Sequence, residues 1–417
     1  MADNGHVVVT GFGAVTPLGN DRETTWQGLL AGRSGVGPLT HFDPEGLPTT
    51  IAAEVRGFDP ATLFDEPKRL RRTARFSRFA VAAAREAAAD AGLVVGEEAG
   101  GVDSARVAVV VNSAVTGMPE IEAGMEQMAS DPRRISPYFV SSVIPNMAAC
   151  EVAMDLGAHG PVTAGALACA SGIQALLDAR RLILAGEADV VVAGGTDAAI
   201  TRLMFSGLAT MGALSKRNGE PERASRPFDA DRDGFVFGEG AVVCVMESAA
   251  HAAARGARPY AEVAGGTLTC DAFHVSAPEP SGRYIVAAMR GALRASDTAP
   301  GDIDYVCAHG TATRINDVTE TRALRETYGP HADELVVSSP KSMTGHLIGA
   351  AGALSAMVCA LAIRDGVVPP TTNLDTPGEG CDLDYAAGGA VRRDVRAAAV
   401  DAFGFGGQNV VAVLRRT

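Results

Sequence analysis

"GALACASGIQALLDARRLILAGEADVVVAGG" runs from Gly165 to Gly195 and combines a turn, a helix and a strand. The residues before it, "GPVT", predict a strand that ends near Ala168. Gly165, Ala166, Ala168, Ala170, Ser171 and Gly172 are small enough for the backbone to turn sharply and for another molecule to come close. From Ile173 the apolar positions Ile173, Leu176, Leu177, Leu182, Ile183 and Leu184 suit a mostly buried helix. "ADVVVAGG" (188–195) is a nearly continuous apolar run, as in strands covered on both faces. Strand, turn, helix and strand in this order predict a layered α/β fold. Cys169 falls at the turn. A helix start there favours thiolate and lowers the thiol pKa, and its free N–H groups suit an oxyanion. Two readings stand at this point, a packed small thiol and a nucleophile.

The same pattern continues along the chain. Strand candidates are 6–11, 106–113, 241–247, 260–266, 303–310, 334–340, 397–403 and 409–414. Helix candidates are 75–92, 170–186 and 349–366. The strands fall into two blocks, 1–255 and 256–417, consistent with an internal duplication. Each block places a Gly-rich turn beside its candidate chemistry.

Bulk properties exclude several classes. The chain has 417 residues and a net charge of −13, which argues against a general nucleic-acid binder. No run of 18 or more wholly apolar residues predicts a membrane span, and "MADNGHVVVTGFG" does not read as a signal peptide. Seven cysteines, an odd number without a CxxC, argue against a disulfide framework and a zinc site, so a reduced, cytoplasmic protein is expected. Only three of the 36 basic residues are lysines (Lys68, Lys216 and Lys341), a bias of codon usage more than chemistry.

Two of the eight histidines follow strands and lie among Gly and Thr: His309 in "AHGTATRINDVTE" and His346 in "SSPKSMTGHLIGAAGA". Lone histidines of this kind are usually structural. A pair suggests a shared cleft at the C-terminal ends of strands. Asp317 and Glu320 could orient the histidines or pair with Lys341. "DAFGFGGQN" (401–409) sets Phe403 and Phe405 among glycines. It lacks the Lys-Ser/Thr of a P-loop and opens no helix, so a mobile loop with oxyanion donors fits better than a nucleotide cradle. The one dense basic run, "EPKRLRRTARFSR" (66–78), reads by default as a solvated helix face.

Together, "ACASG", "AHGTAT", "PKSMTGHLIGAAG" and "FGFGG" resemble the β-ketoacyl-acyl-carrier-protein synthases of the thiolase-like, condensing-enzyme superfamily. "VVVTGFGAVTPLGND", "SRPFDADRDGFVFGEGA" (225–241) and "HVSAPEPSG" (274–282) extend the resemblance over nearly the whole chain. It implies a thiolase-like fold of two similar halves in α-β-α-β-α layers. It implies decarboxylative Claisen condensation of an acyl group on Cys169 with malonyl-acyl-carrier protein. Cys169 is then the nucleophile, with its own N–H and that of Phe405 as oxyanion hole. His309 and His346 stabilise the enolate, and Lys341 anchors a charge network with Glu320 and Asp317. Thr311 and Thr313 meet the pantetheine arm, with Phe403, Leu208 and Ser276 also at the substrate. No metal or cofactor of its own is implied beyond the carrier's phosphopantetheine.

The resemblance also recasts the basic run. Lys68, Arg69, Arg71 and Arg72, with Lys216 and Arg217, become docking candidates for an acidic carrier, extended by Arg75 and Arg78. Phe139 and 114–118 are expected near the pocket end and the dimer seam. The partner is a second copy or a chain-length-factor subunit. Cys169 and both histidines argue against a non-catalytic chain-length partner. The lack of a second cysteine in "FGFGGQN" argues against a thiolase, and His346 against a Cys-His-Asn enzyme. Arg314, Gln408 and Leu208 depart from the fatty-acid pattern and tilt the expectation towards type II polyketide synthesis, with housekeeping fatty-acid elongation as the alternative.

Overall fold

The computed structural model describes residues 5–64, 66–96 and 100–417. Among these, ten strands form the main sheet: β1 (Val7–Val15), β2 (Val107–Asn112), β3 (Val162–Thr163), β4 (Val190–Asp197), β5 (Gly240–Ser248), β6 (Ala261–Cys270), β7 (Tyr305–Cys307), β8 (Val336–Ser338), β9 (Ala397–Gly404) and β10 (Gln408–Arg415). Their order is β8-β7-β9-β10-β6-β1-β5-β4-β2-β3. Read outward from the centre, both sides show one pattern. β1 pairs antiparallel with β5, β5 with β4 antiparallel, then β4-β2-β3 run parallel. β6, β10, β9, β7 and β8 repeat that sequence of directions. The two sets meet where Val8 faces Glu262 and Val9 faces Ala261.

Alternation along the strands divides their side chains between separate cores. Ala108, Val110, Val191, Ala193, Val242 and Cys244 face a central core, whereas Val107, Val109, Val190, Val192, Val243 and Val245 face an outer one. The second half does the same, with Tyr305, Cys307, Ala398 and Val400 inward and Val306, Ala397 and Ala399 outward. Helices fill these layers: α1 (Arg75–Ala91), α2 (Ser171–Leu184), α3 (Arg283–Ala295), α4 (Arg314–Tyr328) and α5 (Ala351–Asp365). α2 and α5 occupy the central layer. α1 covers the outer face of the first half, and α3 and α4 that of the second. The result is the expected α-β-α-β-α arrangement of duplicated halves.

α5 is apolar on every side, as a helix enclosed by protein must be. By length and composition Ile348–Asp365 could cross a membrane, but 89% of it is buried inside the fold. α2 and α5 touch at glycines. A Cβ on Gly172 would lie 2.6 Å from the Ala353 nitrogen, and one on Gly352 would lie 2.7 Å from the Ile173 nitrogen.

The run before Cys169 differs from expectation. β3 contains only Val162 and Thr163, and the chain then leaves the sheet. The N–H of Gly165 donates to the Asn112 side chain at 2.6 Å instead of to a neighbouring strand.

Candidate active site

Cys169 lies in a 3-10 turn, Ala168–Ala170, just ahead of α2. Ala168 has φ +46°, a left-handed conformation that a residue with a Cβ adopts at some cost. The turn is held by Ser171, whose hydroxyl donates to the Ala168 carbonyl at 2.7 Å and accepts from the Leu167 N–H at 2.9 Å. Against it lies the Gly-Phe loop. A Cβ on Gly404 would meet the Leu167 oxygen at 2.6 Å, so only glycine lets the two segments approach this closely. The N–H groups of Phe405 and of Cys169 itself both bear on the sulfur.

The expected low thiol pKa is not found. Burial outweighs the Lys341 charge and the Phe405 N–H, and pushes the Cys169 pKa up to about 11. The turn places the sulfur at a helix start, as expected, but in a dry setting where the charged form loses more hydration than the helix end returns. The resting group is a thiol.

His309 follows β7, and His346 follows the short helix Lys341–Thr344. Cys169 Sγ and one ring nitrogen of each histidine lie within 4.8 Å of one another. The rings meet edge to face, 5.6 Å between centroids. Phe403 props His309 at 5.4 Å, and Phe235 props His346 at 5.4 Å. Burial first, then the Lys341 charge, hold both imidazole pKa values well below the usual histidine range, so both rings are neutral at pH 7. The Ile348 N–H donates to His346 Nδ1 at 3.2 Å. The ring proton is therefore on Nε2, which has no partner. By donor type a thiol and two imidazoles suit zinc. That protonated Nε2 opposes it, because a metal there would require the ring to reverse its tautomer and give up the Ile348 bond.

Glu320 and Asp317, both fully buried on α4, have separate tasks. Glu320 accepts from the N–H of His309 at 2.6 Å and of Gly310 at 2.8 Å, which fixes the His309 turn. Asp317 accepts from the Phe228 N–H at 2.8 Å and sits 3.4 Å from Arg232. The expected pairing of Lys341 with these carboxylates is looser than an ion pair. Among the described residues no contact within 4 Å joins them, and Lys341 feels Glu320 and Asp317 only through their fields. Desolvation lowers the Lys341 pKa, and these neighbours oppose the drop.

A cavity of about 660 Å³ connects these groups to solvent, within the roughly 300–1,000 Å³ usual for small-molecule sites. Ser276, Thr311, Thr313, Phe403 and Leu208 all line it, as expected. Thr311 and Thr313 share a hydrogen bond of 2.9 Å. Ala114, Val115, Met204, Leu208, Phe237 and Ile348 supply apolar walls. Arg314 lines the cavity and is exposed. Gln408 does not line it. Phe139 also lies outside it and packs over Gly124.

The basic run is partly committed elsewhere. Arg69 pairs with Glu151 at 3.3 Å and Asp155 at 2.7 Å, and stacks over Phe64. Arg75 pairs with Glu239 at 2.6 Å, and Arg78 donates to the Leu70 carbonyl at 2.8 Å. Those three guanidinium groups, expected from the sequence to face a carrier, are tied into the fold and half-buried. Arg217 lies 3.4 Å from Glu220, a partly exposed pair. Lys68, Arg71, Arg72 and Lys216 are exposed.

Sequence reasoning missed Asp197. Its carboxylate accepts from Ser113 Oγ and from the N–H groups of Ala114, Val115 and Gly349, and so ties the cavity wall to the segment after His346. It lies at the end of a strand that reads as purely apolar, and only the sheet reveals its partners.

Residues 4–252 match the family model described as Beta-ketoacyl synthase, N-terminal domain, and 260–375 match Beta-ketoacyl synthase, C-terminal domain. The chain belongs to the beta-ketoacyl synthase family. It is an acyltransferase of ketosynthase type. It is similar to the 3-oxoacyl-[acyl-carrier-protein] synthase 2 of Coxiella burnetii, with 46% identity over 98% of each chain. Among solved structures it resembles the ishigamide ketosynthase/chain length factor, with TM-score 0.90, 37% identity and 99% of each chain covered. It also resembles a type II PKS ketosynthase solved with its acyl-carrier protein and a hexaketide, with TM-score 0.90, 31% identity and 99% of each chain covered.

Proposed function

We propose that this ketosynthase joins an acyl group held on Cys169 to the two-carbon unit of a malonyl-acyl-carrier protein. The observation that carries the reading is the convergence of one thiol and two neutral imidazoles at the inner end of an apolar cavity. Cys169 exchanges its proton for the acyl group of a carrier thioester. The N–H groups of Cys169 and Phe405 hold the oxygen on which negative charge develops. Malonyl thioester then binds at the Thr311–Thr313 mouth. His346 Nε2–H donates to its carbonyl, and His309 lies beside it. Neutral donors suit this task, because they stabilise an enolate without protonating it. Loss of CO2 yields the enolate, its carbon attacks the Cys169 thioester, and thiolate leaves.

Within that reaction, fatty-acid elongation is favoured over the polyketide reading suggested by Arg314, Gln408 and Leu208. The relative at 46% identity is named as a 3-oxoacyl-[acyl-carrier-protein] synthase 2, whereas the polyketide-type structure stands at 31%. A cytoplasmic setting goes with either pathway. The segments 1–255 and 256–417 are proposed as the two domains. The carrier is proposed to dock on Lys68, Arg71, Arg72 and Lys216. A second ketosynthase-like chain is proposed to cover β3, whose two residues are exposed at the sheet edge, and the exposed Met125, Met128 and Val140.

The test incubates the purified protein with acyl-carrier and malonyl-carrier. A β-ketoacyl-carrier two carbons longer is expected, and none with Cys169→Ala. Condensation that survives Cys169→Ala overturns the mechanism. Activity that requires a co-expressed subunit lacking the cysteine favours the polyketide pathway instead.

A further inference from the structure

The motif "HVSAPEPSG" (274–282) lies in a loop at the cavity mouth, and its Ser276, Ala277 and Pro278 line the cavity. This loop is fastened to the Gly-Phe loop at two places. At its base the Asp271 N–H donates to the Gly407 carbonyl at 2.8 Å. The buried Asp271 carboxylate accepts there from the Glu279 N–H at 2.9 Å and from Asn409 Nδ2 at 2.7 Å. At its tip the Gly406 N–H donates to the Val275 carbonyl at 2.8 Å. Val275 is 77% exposed, so packing of its side chain contributes little to holding the tip. His274 holds it instead. Its Nδ1 accepts from the N–H groups of Ser276 at 3.1 Å and Ala277 at 3.2 Å, with Ser276 Oγ 3.5 Å away.

An imidazole accepts at Nδ1 only when it is neutral and its proton is on Nε2. An imidazolium carries N–H at both nitrogens, so charging this ring sets a third N–H against two others. Gly406 adjoins Phe405, whose N–H bears on the Cys169 sulfur. On the other side of Phe405, a Cβ on Gly404 would meet the Leu167 oxygen at 2.6 Å and the Cys169 nitrogen at 3.4 Å. Phe405 is thus fixed from two directions, by the Cys169 turn and by the 274–277 turn. We propose that neutral His274 is a positioning residue for acyl transfer: its Nδ1 folds the 274–277 turn, and that turn holds the Phe405 N–H in place as an oxyanion donor. His274 does not line the cavity and acts through Val275 and Gly406. The titratable and charged groups on the elements packed around it are Cys270 and Asp271 at the end of β6, Glu279 on the loop, Arg283 and Tyr284 on α3, and Arg314 and Arg322 on α4. Arg322 donates to the Pro280 carbonyl at 2.8 Å. The Gly-Phe loop, 404–409, carries no titratable side chain. This inference rests on the ketosynthase reading above.

His274 is exposed, so its variants should fold. In the full-length protein, His274→Ala should slow acylation of Cys169 by saturating acyl-carrier about fivefold, the net worth of one hydrogen bond. His274→Asn should restore the rate, because asparagine Oδ1 stands as far along the side chain as histidine Nδ1 and accepts at every pH. Iodoacetamide needs no oxyanion donor and should alkylate Cys169 in His274→Ala at least as fast as in wild type. Below about pH 6.5, where imidazoles ordinarily charge, the acylation rate of His274→Asn relative to wild type should rise, since only the wild type loses its acceptor. An alanine variant acylated as fast as wild type overturns the proposal. So does an asparagine variant as slow as the alanine one, a ratio that stays constant with pH, or an equal loss in acylation and alkylation. A wild type that is acylated but makes no ketoacyl product overturns the ketosynthase reading, whereas a productive wild type with an unaltered His274→Ala variant removes only the role of His274.

Discussion

Ile348 donates its backbone N–H to Nδ1 of His346 at 3.2 Å and adopts φ +51° to do so. A residue in a disfavoured conformation thus fixes which nitrogen of the His346 ring carries the proton. The neutral state of that ring has a consequence for stability. Its folded pKa is depressed, first by burial and then by Lys341. As pH falls through about 6.5 the unfolded chain binds a proton that the folded chain refuses, so stability is lost on acidification. Relative to His346→Asn, wild type should lose about 1.4 kcal/mol for each pH unit below that point. Urea unfolding at several pH values checks this, and stability curves that stay parallel would mean the ring is already charged.

Alkylation of Cys169 should be slow at neutral pH. With the thiol pushed up to about 11, the iodoacetamide rate should climb about tenfold per pH unit up to that value. Replacing Lys341 with Met should move the inflection higher, because its charge is what favours the thiolate. A rate already at its plateau near neutrality contradicts the buried-thiol geometry.

Glu320→Gln leaves a buried N–H of the His309 turn without its acceptor. A cost of about 1–3 kcal/mol in stability is expected, read from the thermal midpoint. Turnover should drop while acylation of Cys169 persists, since Glu320 acts on the His309 side of the site.

Ala114→Phe places a ring in the apolar wall beside the Ile348–Gly349 segment. Long acyl chains should lose about a hundredfold in kcat/KM, some 3 kcal/mol, while an acetyl group is handled as before. Competition assays between short and long acyl-carriers measure the ratio, and an equal loss for both would mean that the wall lies outside the acyl path.

Reversing the charges of Lys68 and Arg71 should raise KM for carrier-bound substrate and weaken its dependence on salt. Arg69→Glu should instead lower the melting temperature, because Arg69 pairs with Glu151 and Asp155. A fall in turnover alone for the surface pair would remove the docking face.

Nine of the ten sheet strands were legible because valine-rich runs such as "VAVVVN" (107–112) leave little alternative to a doubly covered strand. The tenth, Val162–Thr163, was overextended because a run of small residues looks like a strand wherever no side chain competes for its hydrogen bonds. α4 is not legible as a helix, because "RINDVTETRALRETY" mixes threonine, valine and acids and its apolar positions are sparse. Cys169, His309, His346 and Lys341 could be named from their motifs. The protonation of the thiol could not, since it depends on how deeply the turn is covered, and that is set by the Gly-Phe loop far along the chain.

The glycine contacts between α2 and α5 acquire a further meaning from the symmetry of the sheet. Cys169 opens onto α2 and His346 onto α5, so each half of the molecule carries one member of the pair on the same kind of turn. Gly172 and Gly352 let those two helices touch backbone to backbone, which leaves no soft side chain between them to yield or expand. The helix pair thus works as a gauge block: it sets the span between a sulfur and an imidazole by what has been left out. An added methyl there would force the two helices apart, and so would alter the reach at the reacting carbon as well as cost stability.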